Sequence, residues 1–352
     1  MEVSWFMRSK SMAQHMVERR SSLAILIPNF NDWESLRLLL PLIDRSVQGV
    51  EHQFSVIIVD DASTEPMPED WPGQSFNALD SVEVLHLRSN QGHQRAIALG
   101  LYHLHEFTDV EAALVMDGDG EDRPEDVPDL LRAYVAGEGR DVVFAARTRR
   151  MESLGFRLCY RAYRLVHQAM TGVVVQVGNF SVVPRSAMAR LMAVPDLWNH
   201  YAASVYRARL PRRLVPLPRG RRLAGESKMN FVSLLIHGLS AMSVFSDQVS
   251  ARLLTAAVGF AFIAMGLMGV TAGIRWFTDL AVPGWATFTV GLLLVLVVQL
   301  LSFATLFAFL IASRRSSLNF LLTRDAPYFI LGKTTAYGAA DRNSTAARTS
   351  DK

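Results

Sequence analysis

Over the first 147 residues, short apolar runs alternate with stretches of helical apolar spacing. Leu23 to Pro28 is an apolar run closed by proline. Asp32 then opens a predicted helix to about Ile43, with Leu36, Leu39, Leu40 and Ile43 on one face. Phe54 to Asp60 reads as a second buried strand that ends in Asp60-Asp61-Ala62-Ser63-Thr64, and Val82 to Leu87 as a third. Asn90 to Ala96 opens a helix to about His105. Ala112 to Met116 is a fourth strand and Asp141 to Ala146 a fifth. Strands taking turns with helices predict an α/β domain with a mostly parallel sheet covered on both faces. Such sheets bind ligands beyond the carboxyl ends of their strands. Pro28-Asn29, Asp60-Asp61 and Asp117 with Asp119 all fall there.

The pattern changes after residue 228. Residues 229–250 place Phe231, Leu234, Leu235, Leu239, Met242, Phe245 and Val249 at helical spacing, opposite Asn230, Ser233, His237 and Asp247. This is a helix packed on its own domain or one lying in a membrane interface; its place before an apolar span favours the interface. Leu253 to Ile274 holds no charged residue and, at about 1.5 Å per residue, spans roughly 33 Å, enough for a hydrocarbon core of about 30 Å. Trp285 to Ala312 is longer, with Gln299 as its strongly polar member, and Pro283-Gly284 turns the chain between the two. The expected organisation is a tail to residue 20, a catalytic domain over 21–228, an interfacial helix over 229–250, a transmembrane hairpin over 251–312, and a C-terminal tail over 313–352, partly disordered from about Lys333. Arg252 before the first span and Arg314-Arg315 after the second put the domain and both termini in the cytoplasm, at the inner membrane, by the positive-inside rule.

Composition narrows the chemistry. Half the residues are hydrophobic, which fits a membrane-bound chain, and the net charge is only +3, so local clusters matter more than the total. The single cysteine, Cys159, excludes intramolecular disulfides and cysteine-rich metal sites. No apolar core of signal-peptide length precedes Arg20, and Met7, Met12 and Met16 leave the start residue open. Eight basic residues from Arg207 to Lys228 face one acid, Glu226; without interleaved aromatics they suit a lipid surface better than nucleic acid. Arg147, Arg149, Arg150, Arg157, Arg161 and Arg164 form a second cluster, either facing an acceptor phosphate or forming a solvated helix face. The sharpest motif is Met116-Asp-Gly-Asp-Gly-Glu121. It carries Asp117, Asp119 and Glu121 at alternate positions beyond a strand, the oxygen-rich set a hard divalent cation takes alongside diphosphate oxygens. The spacing of an EF-hand is missing, and Pro124 interrupts it.

Ile27-Pro-Asn, Val59-Asp-Asp-Ala-Ser-Thr, Asn90-Gln-Gly with Ala96 and Gly100, and Met116-Asp-x-Asp-x-Glu-Asp-x-Pro-Glu occur in this order. Over about residues 21–312 the chain resembles family 2 glycosyltransferases of the GT-A (Rossmann-like) fold, in the polyprenyl-phosphate, dolichol-phosphate-mannose-synthase-like branch. The resemblance implies a nucleotide-sugar site at Pro28, Asn29, Asp60, Asp61 and Asp117, for a UDP- or GDP-linked sugar. It implies Mg²⁺ or Mn²⁺ at Asp117, Asp119 and Glu121, with Asp117, Asp119 and Arg147 taking part in catalysis. Arg222, Ser227 and Lys228, in Arg-x-x-Gly-Glu-Ser-Lys, and Arg161 are expected at the phosphate of a polyprenyl lipid. A homo-oligomer is left open. Two departures stand out: Asn29-Phe-Asn-Asp32 where the family usually has Asn-Glu, and Asn179-Phe-Ser where Asp-Phe-Arg is common. A processive polysaccharide synthase shares the domain, but its Gln-x-x-Arg-Trp motif and further membrane helices are missing. A degenerate domain serving as a membrane scaffold is the non-enzymatic alternative.

Overall fold

A computed structural model describes residues 22–147, 165–173, 177–224, 238–279, 282, 284–316 and 320–338. They fall into two compact units: one holds the described residues up to 147, those of 177–224 and those of 320–338, and the other holds 165–173 and the described residues of 238–316.

The first unit is built on an eight-stranded sheet. Its strands are β1 (Ser22–Asn29), β2 (Gln53–Asp60), β3 (Leu79–Leu87), β4 (Ala112–Val115), β5 (Val142–Arg147), β6 (Ser181–Pro184), β7 (Arg212–Leu217) and β8 (Ile330–Tyr337), in the spatial order β7-β5-β6-β4-β1-β2-β3-β8. The five expected strands are present, and β1 to β4 run parallel to their sheet neighbours among themselves. Alternation along β1 sends Leu23, Ile25 and Ile27 to one face and Ala24 and Leu26 to the other. The first face is covered by α1 (Trp33–Ser46), whose Leu36, Leu39, Leu40 and Ile43 are fully buried as the spacing predicts, and by α3 (Val127–Ala136). The second face carries α2 (His93–Phe107), α4 (Arg185–Met192) and α5 (Tyr201–Arg207). The chain builds β1, β2 and β3 outward in one direction and then returns to place β4 on the other side of β1. That reversal opens a crevice beyond the ends of β1 and β4.

Three strands come from segments read otherwise. β6 is only four residues, antiparallel to β4 and β5, and β7 is drawn from the basic segment. β8 corrects the expectation of disorder from about Lys333. It pairs antiparallel with β3, and Tyr337 is buried, its hydroxyl donating to the Phe76 carbonyl at 3.0 Å and accepting the Phe76 N–H at 3.2 Å. A polar edge strand needs few apolar residues once one aromatic anchors its end.

In the second unit, α6 (Ser246–Phe277) and α7 (Trp285–Ser316) are each long and apolar enough to cross a membrane. They pack together, burying Ala257, Ala261, Ala264 and Thr271 of α6 and Val297 and Ala304 of α7. Small residues let backbones approach, the usual basis of helix pairing in lipid. Phe260, Phe262, Ile263, Phe303 and Phe309 point outward, an apolar surface that suits hydrocarbon rather than water. The expected helix over 229–250 is divided within its described part. Residues 238–243 are helical, Val244 and Phe245 form a buried turn, and α6 takes over from Ser246, seven residues before the first charge-free stretch begins. Residues 225–237, with the apolar face predicted there, lie outside the described residues.

Candidate active site

The crevice beyond β1, β2 and β4 is lined by the residues the strand ends deliver. Asn29 closes β1 opposite Asp60, and the Asp61 N–H donates to the Asn29 carbonyl at 2.9 Å. Pro28 is buried, and the Asn29 carboxamide is buried with no hydrogen-bond partner for either its oxygen or its nitrogen among the described residues. An orphaned donor and acceptor side by side cost free energy unless a ligand or water meets them. Asp60 accepts the Ser63 N–H at 3.2 Å and lies 3.3 Å from His86 Nδ1. Asp61 turns its carboxylate onto the first amides of the α2 loop, accepting from Gln91 N at 2.6 Å and Gly92 N at 2.8 Å. Burial nonetheless holds the Asp61 carboxyl above its ordinary range, against the lowering effect of those amides. The departure at Asn31 also has a place: in a left-handed conformation, its side chain accepts the N–H groups of Thr64 and Glu65 at 2.8 and 3.0 Å, clamping the loop after β2.

The acidic loop follows β4. Met116 N–H still donates to Leu26 O at 3.1 Å, so Asp117 leaves the sheet beside Pro28. Asp122, buried beneath the loop, accepts the Asp117 N–H at 3.0 Å, and Asp119 accepts the Glu121 N–H at 2.9 Å. The segment after β7 lies across this loop. Leu223 N–H donates to Asp119 O at 2.9 Å and Gly220 N–H to Glu121 O at 2.8 Å. Arg222 bridges Asp32 at 2.9 Å and Asp119 at 3.5 Å, while Arg219 pairs with Glu121. Burial, then the neighbouring Asp117 charge, push the Asp119 carboxyl up; Arg222 and Arg219 offset part of this.

A polar chain stands on the other side of Asp117. The backbone N–H of Tyr201 donates to Gln94 Oε1 at 2.8 Å, Gln94 Nε2 donates to Asn179 Oδ1 at 3.2 Å, and Asn179 Nδ2 then faces both Asp117 at 3.4 Å and His93 Nε2 at 2.9 Å. His93 Nε2 is itself 3.2 Å from Asp117. Burial alone would lower the His93 pKa, but Asp117, by charge and hydrogen bond, with Asp122 and Asp119 behind it, holds it above the ordinary imidazole value. Asn179 therefore sits at the acids, where the family commonly has Asp.

Pro28, Asn29, Asp60, Asp61, Asp117, Asp119, Glu121 and Arg222 all belong to the unit that carries this crevice. Arg222 lies on the acids themselves. Arg147 closes β5 opposite Leu217; its side chain, together with Arg161, Ser227 and Lys228, lies outside the described residues. His93, Gln94, Asp122 and Arg219 were not singled out as site residues by the sequence. The Asn-Gln-Gly-His-Gln run opening a helix was the signal for the first two. Asp117 and Asp119 offer carboxylate oxygens that a divalent cation could share, their side chains 24% and 20% exposed. No group of three His, Cys, Asp or Glu side chains is gathered as a ready cation cage among the described residues, so a diphosphate would have to complete the set.

A mostly parallel open sheet with acids massed at its switch point is a ligand-binding α/β enzyme domain. Residues 24–196 match the glycosyl transferase family 2 model, and the chain belongs to that family. It is 26% identical over 274 residues, 72% of its length and 78% of the relative's, to undecaprenyl-phosphate 4-deoxy-4-formamido-L-arabinose transferase of Edwardsiella ictaluri. It is 29% identical to the Yersinia enterocolitica protein of the same name over 44% of this chain, spanning less than half, 46%, of that relative. Among solved structures, mannosyl-3-phosphoglycerate synthase from Rubrobacter xylanophilus shares 14% identity at a TM-score of 0.47, covering 78% of this chain and 81% of that one. Glucosyl-3-phosphoglycerate synthase from Mycobacterium tuberculosis shares 16% at 0.44, covering 65% and 79%. Both structural likenesses are distant.

Proposed function

We propose that this protein is an inverting, membrane-bound glycosyltransferase that moves a sugar from a nucleoside-diphosphate donor to a polyprenyl phosphate at the cytoplasmic face. The observation that carries the reading is the convergence of the orphaned Asn29 carboxamide with Asp60, Asp117 and Asp119 at one switch point. The names of the curated relatives support the undecaprenyl-type acceptor, and two helices long and apolar enough to cross a membrane fit an enzyme working where such a lipid resides.

In this reading Pro28, Asn29 and Asp60 receive the base and ribose, and Asp61 holds the loop at Gln91 and Gly92 against the site. A divalent cation, Mg²⁺ or Mn²⁺, held by Asp117 and Asp119 with Glu121 on the same loop, would neutralise charge on the departing diphosphate. An oxygen of the acceptor phosphate attacks the anomeric carbon opposite the leaving group. The new C–O bond forms as the bond to the diphosphate breaks, which inverts the configuration. A phosphate oxygen is already ionised near neutral pH, so no strong base is required, and an amide at Asn179 is compatible with turnover. Two anionic substrates repel unless cations stand between them. In this reading Arg222 and Arg219 supply that charge near the acids, Arg147 takes part in catalysis, and Arg161, Ser227 and Lys228 complete the acceptor site with Arg222.

The test is a donor screen with undecaprenyl phosphate in detergent, using UDP- and GDP-linked sugars, including UDP-linked 4-deoxy-4-formamido-L-arabinose. One donor should give a lipid-linked product of inverted anomeric configuration. Retention of configuration, or transfer undiminished by excess chelator, would overturn the mechanism. Transfer only to a water-soluble acceptor would overturn the lipid assignment.

A further inference from the structure

Strand β8 follows α7 in sequence and lies outside the residues matched by the family model, yet it reaches the donor crevice. Its Thr334 hydroxyl is 2.9 Å from His86 Nε2. The same ring places Nδ1 3.3 Å from Asp60 Oδ2. The three residues form an unbroken line from the sheet edge to the acid opposite Asn29. The line has a direction. A carboxylate only accepts, so the ring must donate from Nδ1 to Asp60; in the tautomer with its single proton there, Nε2 accepts the Thr334 O–H. The carboxylate thereby sets the tautomer, and the hydroxyl holds the tilt of the ring. The other oxygen of Asp60 is held by the Ser63 N–H, so the carboxylate has one orientation. β8 is itself anchored: Tyr337 is buried against Phe76 with ring centres 5.0 Å apart, and Lys333 pairs with Glu83 at 2.9 Å.

We propose that Thr334 and His86 are positioning residues for the nucleotide site, so that the strand after the apolar hairpin sets the orientation of Asp60. This rests on the reading of Asp60 as a donor-binding residue. The strand would then do more than close the sheet: loss of its register by one residue would move Thr334 to the opposite face and release the ring.

The experiment uses the full-length protein in detergent, with UDP and GDP plus Mg²⁺ as probes, and follows the nucleotide that binds wild type more tightly. Thr334→Val keeps the shape and β-branching of the strand residue and removes only the hydroxyl. It should weaken nucleotide binding about three- to fivefold, the range of one partly solvated hydrogen bond. Thr334→Ser should bind like wild type, and His86→Phe should be at least as weak as the Val variant. In an Asp60→Asn background, Thr334→Val should add nothing, because the effect passes through Asp60. A Val variant with a lowered melting temperature but unchanged affinity would make Thr334 structural and overturn the proposal. So would a Ser variant as weak as Val, or full additivity with Asp60→Asn. If Asp60→Asn itself leaves nucleotide affinity unchanged, the donor-site reading fails instead, and the positioning role falls with it.

Discussion

Gly120 is where the acidic loop and the segment after β7 meet most closely, and Gly120→Ala tests that junction. Gly120 has φ +83°, and a Cβ there would lie 2.5 Å from Leu223 Cγ and 2.8 Å from its Cδ1. Left-handed backbone costs an alanine about 1 kcal/mol. Leu223 packs partly buried against the main core, and driving it out forfeits about 1–2 kcal/mol of apolar burial. The sum, about 2–3 kcal/mol, is comparable with what the two hydrogen bonds of this segment to Asp119 O and Glu121 O hold, at about 1 kcal/mol each, the partly exposed Arg222 and Arg219 ion pairs adding less. The segment should therefore detach while the sheet stays folded. Arg219, Arg221 and Arg222 make this readable by limited trypsin digestion. When opening is fast relative to cleavage, the rate follows the open population, so cleavage at these arginines should rise on the order of 30- to 160-fold, with the rest of the digest unchanged. Leu223→Ala in the Gly120→Ala background should add little, because the leucine has already lost its place. Unchanged cleavage in Gly120→Ala, or simple addition of the two effects, would refute the packing of Leu223 on the loop.

Asp119→Asn keeps the shape of the ligand and removes its charge; transfer should fall at least a hundredfold with folding and membrane extraction unchanged, and near-wild-type turnover would sink the role of Asp119. The raised Asp119 pKa has a definite sign. Its ionised form is disfavoured in the ligand-free fold, so on acidification the fold takes up a proton at Asp119 while the unfolded chain is still ionised there, which adds stability through that window. The acid side of the ligand-free melting profile should therefore be less steep in wild type than in Asp119→Asn, and profiles of one shape would argue against it. For topology, a cysteine at Thr278 in a Cys159→Ser background should react with an impermeant thiol reagent in intact cells, and one at Thr345 should not; reversed labelling would overturn the cytoplasmic placement.

The strands at the centre of the sheet were legible because their residues are buried on both faces and read as continuous apolar runs: β1, β2 and β4 have hardly a polar side chain before their last residue. β6 and β7 were not. The first is four residues, too short to show a period, and the second has Arg212 and Arg213 exposed at its start, so its composition spoke for a charged surface. β8 was hidden for the same reason, since Gly332 to Thr335 are all exposed and its burial is concentrated in Tyr337. At the site, the acids were readable from motif order, but their counter-charges were not. Arg222 stands 190 positions from Asp32 and Arg219 98 from Glu121, and no local pattern carries such a pairing. The turn at Val244 and Phe245 was not legible either, because Phe245 continues the apolar helical spacing of 229–250 and no glycine or proline stands beside it, whereas a new helix starts at Ser246 with Asp247 in its first turn, where an acid is favoured.

The arrangement of charge explains how so acidic a crevice folds at all. Asp32, Asp117, Asp119 and Glu121 approach one another closely enough for Asp119 to feel both Asp117 and Asp32 unfavourably. Like charges at such range in a partly buried loop would open it. The acids are instead met from two sides: the segment after β7 brings Arg222 to Asp32 and Asp119 and Arg219 to Glu121, while His93 and the Asn179 amide meet Asp117. A carboxylate at position 179 would place one more negative charge beside Asp117; the amide donates there instead. The same cations that hold the ligand-free loop closed carry the sign needed by a diphosphate. In the proposed reaction, binding a donor with its cation would replace arginine–carboxylate pairs by metal–carboxylate contacts and free Arg222 and Arg219 for phosphate oxygens. That exchange trades one set of ion pairs for another within the same loop and requires no large rearrangement of the sheet.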